Sequence, residues 1–397
     1  MSRGKAAPRQ RRQTATRRWC IPPAILRDTD ETLEGVQILQ EFPNEHGLLL
    51  WKAYRDVTIW AATEPEDRLE LFVAGAAGRR LQQLREVPME NRIVLALTLL
   101  VAVVSTPESI RAEAVTLACQ GVSVWARERG KLGTALLFAQ AAALASPEQG
   151  RAGYDVGSLA LLMDRPARAE TWLRRTVGVA RRGKDWESYA LAYVDLGALY
   201  AKRGDAEAAR RHYARAARTG RRAGYPAVRS AALHGLFVLE MEQGRLDQAE
   251  VYARKTLRSY GAEHPRRAEL LHDVARLWVA RERPGRALSM LKKLLPGRGE
   301  GQDRAFTLAL LARAAAESGD RGEYEEAWST AWLAVDYDLS GTHASALLEL
   351  SRAAAGQQDW PRMQQASRLH GLQPRASTTH RNTEQLSELL RLAREPG

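Results

Sequence analysis

The chain has 397 residues, too many for one ordinary compact core, so either several globular domains or one extended repeat array is expected. Ala, Leu, Arg and Glu dominate while aromatic residues make up only 7%, a helix-forming profile that disfavours a sheet-based fold. The formal net charge of +12 points toward anionic contacts, and the two cysteines, Cys20 and Cys119, lack the spacing of a zinc site or a disulfide framework.

The positive charge is concentrated at the start. Arg3, Lys5, Arg9, Arg11, Arg12, Arg17, Arg18 and Arg27 all precede the first acidic residue, Asp28. Residues 1–30 therefore read as a disordered basic tail, too poor in apolar side chains to offset the entropy of ordering. Arg9, Arg11, Arg12, Arg17 and Arg18 are its candidate polyanion contacts, able to bind nucleic acid nonspecifically by counterion release. A solubilising extension is the plainer reading. The apolar run Ile21–Leu26 is short and broken by Pro22 and Pro23, unlike a secretory signal.

Residues 31–109 read as an N-terminal helical region that covers the first repeat, either as degenerate repeats or as an unrelated helical cap. Leu48, Trp51, Tyr54, Val57 and Ala61 form one apolar stripe; Leu69, Phe72, Val73, Ala76, Leu81 and Leu84 form another, both at helical spacing. Ile93–Val104 is apolar but falls short of the roughly 20 residues that span a bilayer, so it reads as a buried helix. No membrane segment is expected, and the expected location is the cytoplasm. Thr63-Glu64-Pro65-Glu66, Ser105-Thr106-Pro107-Glu108 and Ser146-Pro147-Glu148-Gln149 have the form of capping boxes opening the helices that follow them.

Residues 110–375 carry an internal repeat of about seven units. Its clearest copy holds Tyr193, Leu196-Gly197, Tyr200, Gly204-Asp205, Ala209, Tyr213 and Ala216. Small residues stand where two antiparallel helices cross, and aromatic rings fill the space beside them. The small residue of the second helix recurs at Ala135, Ala169, Ala209, Ala249, Ala287, Ala327 and Ala366. Five positions before each stands a turn residue: Gly130, Asp164, Gly204, Gly244, Gly322 and Pro361, with Glu282 as the exception. A polar stretch then leads to a C-terminal capping helix within residues 376–397.

This pattern resembles the tetratricopeptide repeat, and the period near 40 residues is similar to the repeat domains of bacterial signal-dependent transcription activators and peptide-pheromone receptors. The resemblance implies an all-α, right-handed superhelical solenoid of antiparallel helix pairs, whose first helices line a concave groove for a protein or peptide partner. Carried over by the alanine register, the groove residues are Gln120, Arg127, Tyr154, Ser158, Val194, Lys202, His234, Met241, Glu242, His272, Arg276 and Gln358. The family's two-carboxylate clamp needs lysine, asparagine and arginine in adjacent repeats. Only Lys202 and Arg276 stand near such places, so a chaperone-tail adaptor is disfavoured.

His234 and His272 fall at the same position of neighbouring units and read either as facing groove ligands or, more plainly, as unrelated surface histidines. Trp172, Trp328 and Trp332 fall on second helices, where packing between repeats accounts for them. No catalytic, nucleotide-binding or metal motif is present, so no cofactor is expected and the chain reads as a non-enzymatic adaptor or scaffold. The two rivals are a sensor that binds a peptide or small ligand to control a partner, and a nucleic-acid-associated protein acting through its tail.

Overall fold

The computed structural model describes residues 35–260, 264, 266–297, 302–336 and 344–372. The basic tail and the expected last helix lie outside them. Two compact units are distinguished, one ending at Ala192 and the other beginning at Tyr193.

The regular elements among the described residues are all helical. Unit 1 contains α1 (Val36–Glu41), α2 (Glu45–Ala62), α3 (Ala76–Glu86), α4 (Asn91–Ser105), α5 (Ala112–Glu128), α6 (Leu132–Ala145), α7 (Gly150–Leu162) and α8 (Pro166–Gly183). Helix α9 (Trp186–Lys202) begins there and ends in unit 2. Unit 2 continues with α10 (Ala206–Ala223), α11 (Pro226–Glu242), α12 (Leu246–Ser259), α13 (Arg267–Ala280), α14 (Pro284–Leu294), α15 (Gln302–Ser318), α16 (Arg321–Asp336), α17 (Ala344–Gly356) and α18 (Trp360–Leu372). None of these is long and apolar enough to cross a membrane.

Successive helices pair antiparallel. In α5 and α6, Thr116 near the start of one donates to Ser146 at the end of the other, while Ser123 donates to the Ala135 carbonyl across the closed end. The pairing buries Ala135, Phe138, Ala142 and Cys119, all at most 1% exposed. Next-but-one helices also pack, as α15 does on α17. Each helix is thus amphipathic because it leans on two neighbours, and a buried leucine such as Leu173 on α8 contributes about 2 kcal/mol.

The unit read most clearly from sequence is built as expected. Ala209 and Ala216 are fully buried, and Tyr213 packs so closely on Gly197 that an added Cβ would meet its ring at 2.6 Å. Asp205 accepts from the Ala208 amide and caps α10. Trp172 and Trp328 are each 4% exposed, and Trp332 packs against the unit 2 core.

Helices α1 and α2 pack on α6. The Glu41 carboxylate accepts from the Gly133 and Thr134 amides at 2.8 and 2.7 Å, placing an anion on the positive end of α6. Phe42 stacks on Trp125 of α5. The N-terminal helices therefore do cover the first pair.

Three expectations need correction. The Thr63, Ser105 and Ser146 hydroxyls open no helix, because the elements that follow have Glu64, Arg111 and Gln149 at their N-caps, without a side-chain cap. Thr63 and Thr106 donate to the Ile59 and Ala102 carbonyls four residues back, and Ser146 accepts from Thr116. They finish α2, α4 and α6, because a hydroxyl next to a helix end reaches its own last turn as readily as the next one. In α2 the buried face is Leu50, Tyr54, Val57 and Trp60, while Leu48 is 43% exposed. The second stripe is not one helix: Pro65 opens a 3₁₀ turn, and Leu69 and Val73 lie exposed ahead of α3. Ile93–Val104, by contrast, does form the buried α4.

The third correction is one of register. Left-handed backbone marks the turn inside each pair at Gly130, Asp164, Gly204, Gly244, Glu282, Gly319 and Gln358. Glu282 is therefore no exception. Gly322 and Pro361 sit inside α16 and α18, three residues past the true turns. The positions equivalent to Ala209 in the last two pairs are Tyr324 and Met363, 2% and 0% exposed. Alanines one turn further on, Ala327 and Ala366, are also buried and so imitate the mark.

Candidate functional site

Corrected for the turns, one position of the first helix carries the same residue three times in a row. Six residues before Glu282, Gly319 and Gln358 stand Arg276 on α13, Arg313 on α15 and Arg352 on α17. Their side chains are 30%, 22% and 22% exposed, so each guanidinium is held by the protein yet reachable from outside.

Glu349 organises this ladder. It is 4% exposed and accepts from Arg313 at 2.8 Å and from Arg352 at 2.7 Å. Burial alone would raise its carboxyl, but Arg313, Arg352 and Arg276 draw it down to about 2. Arg313 also donates to Glu317 at 2.7 Å. Arg352 is lowered from the ordinary arginine range, by burial first, in a setting shared with Arg313 and Arg276. Three cations and two carboxylates lie together on one face.

Asp273 continues the network on α13. Its Oδ2 accepts from His234 Nε2 at 2.9 Å, and its Oδ1 lies 3.3 Å from Arg276 and 3.8 Å from His272 Nδ1. Burial works to raise this carboxyl, but the His234 hydrogen bond and the neighbouring His272 and Arg276 hold it well below the usual carboxylate range. An ionised carboxylate only accepts, so His234 Nε2 is the protonated nitrogen of that bond. The Tyr260 hydroxyl lies 3.4 Å from Nδ1 of the same ring. His272 packs against Phe306, over whose ring Arg276 also lies, and its buried Nε2 has no hydrogen-bond partner among the described residues.

The two histidines are thus neither surface residues nor ligands facing across open space. At 2% and 5% exposed, they are joined through a carboxylate. That carboxylate, Asp273, directly follows His272 in sequence, and it was missed because acidic residues on helices default to solvated faces.

Unit 1 has a smaller polar cluster. Gln120 and Arg151 both donate to Asp155, at 3.1 and 3.0 Å. Arg151 lies over the Tyr154 ring, and exposed Arg127 acts on Asp155 through space. Burial dominates and leaves the Asp155 carboxyl raised despite these partners. Gln120, Arg127 and Tyr154 are therefore brought together.

The remaining expected groove residues are not. Val194 and Met241 pack on apolar clusters, Lys202 and Glu242 are exposed at a helix end, and Gln358 is a turn residue. Arg9, Arg11, Arg12, Arg17 and Arg18 lie outside the described residues. Among the described residues no three His, Cys, Asp or Glu side chains are placed to hold a metal ion.

A cleft of about 490 Å³ in unit 1 was also not foreseen. Phe42, Trp125 and Arg129 line it together with His46 and Glu90. Arg129 lies over the Trp125 ring and is ion-paired with Glu90.

Helix hairpins that follow one another within each unit, with polar side chains gathered on their first helices, define a helical-repeat fold. Residues 148–221 match the family described as Tetratricopeptide repeat, and that segment, covering α7 to α10, is a tetratricopeptide repeat region. No curated protein matches the sequence.

Among solved structures, the Rap protein complexed with competence and sporulation factor aligns with a TM-score of 0.51 at 10% identity, over 87% of this chain and 99% of that one. NprR in complex with its cognate peptide NprX aligns at 0.46 and 12%, over 86% and 99%. PilF of Pseudomonas aeruginosa aligns at 0.47 and 18%, over 57% and 95%. At such identities the likeness is one of fold.

Proposed function

We propose that the chain is a non-enzymatic, cytoplasmic adaptor that holds an extended acidic peptide segment of a partner protein against the first-helix face of unit 2. The observation that carries this reading is the ladder Arg276, Arg313 and Arg352. Arginine forks held by buried carboxylates are already oriented, so a carboxylate arriving from a partner would meet donors that lose little freedom on binding. Phe306 beneath Arg276 adds an aromatic surface for an apolar side chain next to the acid. That the Rap structure holds competence and sporulation factor fits the same reading.

The test is capture of partners from the source cell, together with binding to an array of acidic and neutral peptides. Wild-type protein should retain one partner and prefer acidic peptides. R276A/R352A, which spares Arg313 with its pairs to Glu317 and Glu349, should lose both preferences by at least tenfold with its helix content intact. Equal retention by the variant would reject the ladder as the binding site.

A further inference from the structure

The second helix α10 carries a separate feature that peptide binding does not use. It contains six arginines and one acidic residue, Glu207, in 18 positions, about five of the chain's twelve excess positive charges. At 100° per residue, Arg211, Arg215, Arg218 and Arg222 fall within a sector of about 60° and extend along about 16 Å of helix. All four are exposed. They lie opposite the buried face formed by Ala209, Tyr213, Ala216 and Gly220.

The one arginine with a structural task is set apart from this stripe. Arg210 pairs with Glu207 and with buried Glu240 of α11. Arg215 lies over the Tyr193 ring. Arg211, Arg218, Arg221, Arg222 and Arg229 have no carboxylate within ion-pair distance among the described residues. The helix dipole accounts for Arg221 and Arg222 in the last turn, but not for Arg211 and Arg215 in the middle.

We infer that this stripe is a binding surface for the phosphate backbone of double-stranded DNA, contacted without regard to sequence. Arginine is suited to phosphate, which its planar fork meets in a bidentate way. A protein partner would need apolar or aromatic anchors among the charges, and α10 exposes no large apolar side chain. The same lack argues against a membrane surface, which needs an apolar face, and against single strands, which need aromatic rings to stack on. A rigid row of cations about 16 Å long instead fits the short run of phosphates that a rigid duplex presents along one groove edge. The wide major groove of B-form DNA lets a helix lie along its edge, whereas that of duplex RNA does not.

The experiment measures binding of the full-length protein to a short mixed-sequence DNA duplex by fluorescence anisotropy across a salt series. Duplex RNA and polyglutamate are run in parallel. Binding should weaken steeply with salt. R211Q/R218Q/R222Q should weaken it at least tenfold and reduce the log–log salt slope by about 0.9 for each arginine replaced. R211K/R218K/R222K should keep the slope. These positions are exposed, and unchanged helix content and thermal midpoint of both variants would confirm that the comparison is between folded proteins. A companion variant with Arg9, Arg11, Arg12, Arg17 and Arg18 all changed to Gln separates the tail from the stripe. The inference is overturned if the α10 glutamine variant binds like wild type, if the tail variant alone loses all binding, or if RNA or polyglutamate binds as tightly as DNA.

Discussion

At the scale of single residues, stability rests on groups whose freedom has been removed on both sides. Glu349 is held near 2 from an ordinary value of 4.5. A lowered carboxyl contributes stability that is fully present above the unfolded value and is lost as pH falls toward the folded one. The acid limb of unfolding should therefore include a loss between about pH 4.5 and pH 2. Glu349→Gln should remove that component, and because it leaves two partly buried guanidiniums underpaired it should destabilise the neutral protein by about 3 kcal/mol. Chemical denaturation at neutral and acid pH checks both parts. Packing sets a second constraint at Tyr213. A Cβ at Gly235 would come within 2.4 Å of its ring, and one at Gly197 within 2.6 Å. Gly235→Ala should cost about 1–3 kcal/mol by overpacking, and a double variant with Tyr213→Leu should recover part of that loss. Gly197 could be read from sequence because its repeat matches the family pattern, whereas Gly235 in the next pair could not, since nothing local says that the same ring reaches it.

At the scale of the element, the turn inside each helix pair is the reliable mark, and it is defined by backbone rather than by side chain. Gly204 adopts φ 81° with open space where a Cβ would stand. Gly204→Ala should therefore destabilise through backbone strain alone, by roughly 1 kcal/mol. Glu282 adopts φ 57° with a side chain that disfavours it, so Glu282→Gly should stabilise, offset in part by the greater freedom of glycine in the unfolded chain. Thermal unfolding of the pair of variants should give shifts of opposite sign. The same contrast explains why the sequence reading slipped in α16 and α18. Alanine is common throughout this chain, and a buried alanine one turn beyond the mark is indistinguishable from the mark itself. Glycine at the turn did not by itself keep the register: Gly319 stands at the true turn before α16 but Gly322 three residues on imitates it, and the last turn uses Gln358. Once the register moved by three residues, Arg276 stood alone as a groove candidate, and its partners Arg313 and Arg352 were hidden.

At the scale of the whole molecule, the class of fold was legible because it depends on a period and on composition, both of which average over local errors. The polar networks were not, because Asp273 and Glu349 acquire their roles from His234 and Arg313, about 40 residues earlier on the preceding first helix. That same nearest-neighbour construction decides how damage should spread. Helices in each unit pack on the next and the next but one, so stability is close to a sum of local terms and opening need not be global. Glu349 ties α15 to α17. Glu349→Gln should therefore raise amide hydrogen exchange in α15, α16, α17 and α18 by tenfold or more. Protection in α5 and α6 of unit 1, which have their own core of Ala135, Phe138, Ala142 and Cys119, should be unchanged. Uniform loss of protection across all helices would mean that the chain opens as one cooperative body, and the additive picture of its repeats would have to be abandoned.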